Sequence, residues 1–150
     1  MKTIIIEDEE FAARRLENMI SECDSSIEIV AKLQSVRESV AWLKSNPHPE
    51  LIFLDIQLDD DLSFAIFEQV TVQSQIIFTT AFDEYAIKAF KLKSIDYLLK
   101  PIIKEELCNA IKKYRDMAAP MQQAIDFSSL FSLLNQKNVS YKESFSMVVV

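Results

Sequence analysis

Glu7 and Asp8, Asp55, Thr79 and Thr80, and Lys100 each stand directly after a short apolar run, so carboxylates, hydroxyls and an amine are delivered at the ends of four separate segments. Carboxylates brought together repel one another and raise their own proton affinity unless a cation relieves them. Hard oxygen donors of this kind suit Mg²⁺ better than zinc. A divalent cation there would also neutralise an incoming phosphoryl group, leaving one carboxylate to attack phosphorus and form an acyl phosphate. Asp55 is the natural nucleophile because it is alone at its segment's end, whereas the neighbours Glu7 and Asp8 can share the metal directly or through water. Lys100 would pair with a carboxylate beforehand and with a phosphoryl oxygen afterwards. Thr80 can donate one hydrogen bond to another oxygen.

Composition removes competing chemistries. Average usage of about 7% glycine would put roughly ten glycines in a chain of this length, yet the 150 residues contain none. Neither a Walker A loop nor a G-x-G-x-x-G turn can form. The only histidine, His48, lies between Pro47 and Pro49, which leaves no His-based zinc cluster and no ready Ser-His-Asp triad; it reads as a surface-loop residue. With 16 Lys and Arg against 23 Asp and Glu, the net charge of −7 argues against this segment gripping nucleic acid. No stretch is long and apolar enough to span a membrane. The start of the chain has no signal-peptide pattern, so the expectation is a cytoplasmic protein whose Cys23 and Cys108 are reduced, structural thiols.

The elements that must position these residues follow from the pattern. Residues 3–6, 51–54, 76–78 and 97–99 are apolar without alternation, as in parallel strands covered on both faces. Residues 27–30 begin by alternating, which predicts a strand at an edge. Between them, Ala12, Leu16, Met19, Ile20 and Cys23 follow a helical period, as do Val36, Val40 and Leu43, and Ser35 with Glu38 matches a capping box. Further helices are expected near 62–70, 83–92 and 104–117. Five strands alternating with five helices, joined by right-handed crossovers, predict a doubly wound α/β fold. It would be a five-stranded parallel sheet of flavodoxin-like order 2-1-3-4-5 with helices on both faces, its ligand site at the carboxyl ends of strands 1 and 3. The regular pattern stops after Met117. A short amphipathic stretch and the apolar residues 147–150 follow, which suggests a domain over 1–117 and a segment, 118–150, cut from something longer.

The residues also resemble a known family. Ile4-Ile5-Ile6-Glu7-Asp8-Glu9, Phe53-Leu54-Asp55-Ile56, Phe78-Thr79-Thr80-Ala81 and Asp96-Tyr97-Leu98-Leu99-Lys100-Pro101 are similar to the receiver domain of two-component response regulators, over about residues 2–117. Thr80-Ala81-Phe82-Asp83-Glu84-Tyr85-Ala86, with Ala89-Phe90, resembles the LytTR class, and Tyr141-Lys142-Glu143-Ser144-Phe145 resembles the start of its second, DNA-binding domain. The resemblance implies a transcription regulator phosphorylated on Asp55 by a sensor histidine kinase. It implies Mg²⁺ held by Glu7, Asp8, Asp55 and the backbone carbonyl of Gln57, and a switch pair of Thr80 and Tyr97. It further implies a cis Lys100–Pro101 peptide, a phosphorylation-dependent homodimer, and DNA contact only through the second domain.

One departure is the loop Leu58-Asp59-Asp60-Asp61-Leu62, where receivers usually hold Pro and Gly; it reads as a solvated acidic loop. Gln57 and Phe82, two positions past Asp55 and Thr80, would obstruct water attack on an acyl phosphate. Two other classes compete. A Mg²⁺-dependent phosphohydrolase would want a second acid two residues past its nucleophile, and position 57 is Gln. An interaction module that is never phosphorylated would be expected to lose one of the acids, the Thr or the Lys, and none is lost.

Overall fold

A computed structural model of the protein describes residues 1–81 and 96–117. Within them lie strands β1 (Lys2–Ile6), β2 (Glu28–Leu33), β3 (Leu51–Asp55), β4 (Gln75–Thr80) and β5 (Asp96–Leu99), with helices α1 (Glu10–Cys23), α2 (Val36–Ser45), α3 (Ala65–Gln69) and α4 (Lys104–Met117). The strands form one parallel sheet in the order β2-β1-β3-β4-β5.

The apolar runs explain the layering. Side chains alternate across a strand, so Ile4, Ile6, Ile52, Leu54, Ile76 and Phe78 face one way and pack with Val36, Val40 and Leu43 of α2 and Ile66 of α3. Ile5, Leu51, Phe53, Ile77 and Leu98 face the other way and meet Leu16 and Ile20 of α1 and Leu107 and Ile111 of α4. Every residue of β3 is buried, as suits a strand covered on both sides. The edge strand β2 alternates as expected but runs on to Leu33, because Ala31, Lys32 and Leu33 continue the ladder to Ile4, Ile5 and Ile6.

Several expectations shift. Helix α3 is a short segment rather than the 62–70 span, because the preceding chain forms a tight loop closed by a Gln57–Leu62 bridge and by Ser63 N–H donating to Ile56 O at 2.8 Å. At α2 the Ser35 hydroxyl accepts from Glu38 N–H at 3.0 Å, but the Glu38 carboxylate reaches one residue further back, to Gln34 N–H at 2.9 Å. His48 is half-buried and structural: its ring bonds Leu43 O at 3.1 Å through Nε2 and accepts from Gln73 N–H at Nδ1. The thiol assignment is overturned, since Cys23 and Cys108 are joined by a disulfide; 85 residues apart in sequence, they are neighbours only once α1 and α4 pack side by side. The expected helix at 83–92 and the whole segment 118–150 lie outside the described residues.

Candidate phosphoryl-acceptor site

Four strand ends build the site. β1 stops at Ile6, and Glu7 N–H donates to Leu33 O at 2.9 Å, which anchors the acidic turn to the sheet. Asp55 closes β3 and Thr80 closes β4, while Lys100 follows β5 and its N–H donates to Thr80 O at 2.7 Å. The Lys100–Pro101 peptide is cis.

The charges meet under cover. Glu7 is 4% exposed and Asp55 6%, so neither carboxylate has enough water to hold its charge unaided. The Lys100 ammonium supplies what water does not: Nζ donates to Glu7 Oε1 at 2.5 Å and to Asp55 Oδ2 at 2.9 Å. Asp55 Oδ1 also accepts from Gln57 N–H at 3.2 Å, and Glu7 Oε2 from Glu9 N–H at 3.1 Å. Oxygens of Glu7, Asp8 and Asp55 all lie within 4.8 Å of one another.

Proton affinities record the crowding. Burial pushes the Asp8 carboxyl up to about 8, helped by hydrogen bonds with Glu7 and Asp59 and by their negative charges. Burial also raises Asp55, to about 6; the Lys100 charge pulls against it, Glu7 adds to it, and the bonds from Lys100 and Gln57 N–H oppose it. Burial would raise Glu7 as well, but hydrogen bonds from Asp8, Lys100 and Glu9 N–H outweigh it and leave Glu7 below the usual carboxylate value. Lys100 is held above its ordinary value: burial works against the ammonium, and the charges and hydrogen bonds of Asp55 and Glu7 prevail. Asp8 therefore holds its proton far more tightly than an ordinary aspartate, with Glu7 as its hydrogen-bond partner. The donor set is all oxygen and short of positive charge, which fits a hard divalent cation such as Mg²⁺.

The remaining candidates sit around this cluster. Gln57 is half-buried just past Asp55. Thr80 is buried on the strand next to the one that carries Asp55. Tyr97 is half-buried, pairs in register with Phe78 and packs against the core on the α2–α3 side. Phe82 lies outside the described residues. Sequence reasoning missed two acids of the 58–62 loop. Asp59 bonds Asp8. Asp60 caps α2, accepting from Val36 N–H at 2.9 Å and Arg37 N–H at 3.1 Å. No local signal could have found Asp60, because its partners are 24 and 23 residues away.

Beside Glu7 and Lys100, a cleft of about 90 Å³ opens between α1 and the Pro101–Ile102 turn. Two large apolar side chains at this end of the molecule, Phe11 of α1 and Ile103 before α4, are 78% and 55% exposed.

Comparison with known proteins matches residues 3–112 to the response regulator receiver domain. The chain is 30% identical over 154 aligned positions to the sensory transduction protein LytT of Bacillus anthracis, covering 99% of this chain and 62% of that protein. It is 30% identical over 147 positions to the transcriptional regulatory protein LytR of Staphylococcus aureus strain RF122, covering 96% of this chain and 57% of the relative. It thus spans about three fifths of these relatives' length. Among solved structures, the response regulatory domain of protein mrkE from Klebsiella pneumoniae superposes with a TM-score of 0.65 at 31% identity, over 77% of this chain and 96% of that one.

Proposed function

Because the chain belongs to the response regulator receiver family, we propose that it accepts one phosphoryl group on Asp55 from a sensor histidine kinase and passes the change to a partner surface. The observation that carries this reading is the Lys100 ammonium bridging two buried carboxylates, Glu7 and Asp55. Such a bridge is poised for exchange: the phosphoryl group arrives at Asp55 with new oxygens, and the ammonium can turn from Asp55 to one of them without leaving the site.

Glu7, Asp8 and Asp55, with the Gln57 carbonyl, would hold Mg²⁺. When bound, the ion supplies the positive charge that lets an anionic phosphoryl group approach three acids. Asp55 is the nucleophile, one of its oxygens forming the bond to phosphorus as the donor's leaving group departs. The Thr80 hydroxyl donates to a phosphoryl oxygen, and Tyr97 responds from the next strand, so that a change at the site reaches the edge of the sheet. Cleft, Phe11 and Ile103 together give the kinase an apolar footing next to the acceptor. Burial of Asp55, with the half-buried Gln57 two residues on, favours retention over turnover, as a signalling domain needs.

The larger reading is that residues 118–150 are a linker and the beginning of a LytTR DNA-binding domain, that the protein acts in the cytoplasm as a transcription regulator, and that phosphorylation promotes a homodimer. It is supported by relatives that extend beyond this chain and include a transcriptional regulatory protein. Incubation with Mg²⁺ and acetyl phosphate tests the acceptor role. One phosphoryl group per chain, retained through desalting, is the expected result. Continuous release of phosphate would mark a hydrolase, and no uptake an interaction module.

A further inference from the structure

We propose that Cys23 and Cys108 form a reversible redox clip, a site of thiol–disulfide exchange with small cellular disulfides that fastens α1 to α4. The two residues lie on neighbouring helices with Cα atoms 5.2 Å apart, inside the range a disulfide spans without moving the backbone. Both residues are half-buried rather than enclosed, and Cys23 lies at the margin of the core, which leaves the pair open to a small reagent.

Other contacts hold the same pairing. Leu16 and Ile20 of α1 already pack with Leu107 and Ile111 of α4. Lys104 pairs with Glu22 at 3.0 Å, and Arg115 bonds both Asp24 and the Ser26 hydroxyl. A fold whose helices meet with or without the covalent link can exist in two redox states, which a switch requires and a purely structural staple does not. The placement gives the link its leverage: α1 follows directly from the acidic turn at Glu7 and Asp8, and α4 from the turn after Lys100. The link fastens the far end of the helix that follows the acidic turn to the first turns of the helix that follows Lys100. It also fixes the helix that leads into residues 118–150.

Closure balances as a two-electron exchange. The thiolate of one cysteine attacks a sulfur of a glutathione-type disulfide and expels one thiolate. The second cysteine, as thiolate, attacks the protein sulfur of the mixed disulfide, forms the Cys23–Cys108 bond and expels the other. The protein loses two electrons and two protons, and the small disulfide becomes two thiols.

The test uses the full chain without any phosphodonor, so its outcome is separate from the acceptor reading. Wild type is equilibrated in graded mixtures of reduced and oxidised glutathione, alkylated and weighed, with melting and amide exchange followed in parallel. The expected result is that both thiols disappear together within one molecule and return on reduction. The oxidised form should melt at least about 5 °C higher, and exchange should slow at the end of α1 and the start of α4. Cys23→Ser and Cys108→Ser should both lose the response; if either fails to fold, reduced wild type gives the same comparison. Thiols that never pair, that pair between chains, that stay paired in every mixture, or that pair without altering exchange at these helices would overturn the proposal.

Discussion

Asp8 is the residue whose proton a cation would displace if the proposed metal site is right. Its carboxyl sits at about 8 against an ordinary 3.8, so between those values the folded protein holds a proton that the unfolded chain releases. Stability then falls as pH rises through that window. Asp55, raised to about 6, acts in the same direction over the lower part of it. Glu7, lowered, acts oppositely, contributing stability that is lost only as pH falls below its ordinary 4.5. On the proposed reading, Mg²⁺ would replace the proton on Asp8, so its stabilising effect should be small near pH 5 and grow toward pH 8. Thermal melts with and without Mg²⁺ at both ends of the range check this, and Asp8→Asn should flatten the trend. An equal Mg²⁺ effect at both ends would remove Asp8 from the proposed metal site. These residues were legible in sequence because each directly follows an apolar run that can only be a buried strand, and strand ends on one edge of a parallel sheet share a location.

The loop between β3 and α3 is an element with a task the sequence hides. Asp60 spends both carboxylate oxygens on the first amides of α2, capping a helix that Ser35 caps from its own chain side. Asp60→Ala should destabilise the fold by about 1 kcal/mol, the usual loss of a helix cap, while Asp60→Asn should retain most of it. Urea unfolding of the two variants measures the difference, and equal midpoints for Asp60→Ala and wild type would show that the cap carries no weight. Read along the chain, three consecutive aspartates look like a solvated run. Only the approach of this loop to α2, 23 and 24 residues back, distinguishes the middle one. The disulfide escaped for the same reason. Helical periodicity placed Cys23 on the inner face of α1, but neither periodicity nor spacing reports which helix lies alongside.

At the scale of the whole molecule, the order β2-β1-β3-β4-β5 was readable from alternating apolar runs and helical periods, because crossover handedness leaves few ways to assemble them. Less readable was which surface charges remain available to a second copy. Tyr85, Lys88, Lys91 and Lys93, with Glu105, Arg115 and Asp116, could serve a two-fold interface by composition. Yet Arg115 is engaged by Asp24 and Ser26, which leaves Glu105 and Asp116 as the exposed charges of α4 on that roll; the first four lie outside the described residues. If phosphorylation drives dimerisation, sedimentation of the phosphorylated chain should show tighter self-association than the unphosphorylated one. Lys100→Ala should take up the phosphoryl group yet show no such shift, having lost the ammonium that follows the new oxygens. Equal dissociation constants for phosphorylated and unphosphorylated wild type would reject the switch. The central claim, that buried Asp55 beside Lys100 is the acceptor, has a more direct measurement: intact and peptide masses after exposure to acetyl phosphate, for wild type and Asp55→Asn, with and without Mg²⁺. The account predicts one phosphoryl group on the peptide containing Asp55, only with Mg²⁺ and only in wild type; equal labelling of Asp55→Asn would contradict it.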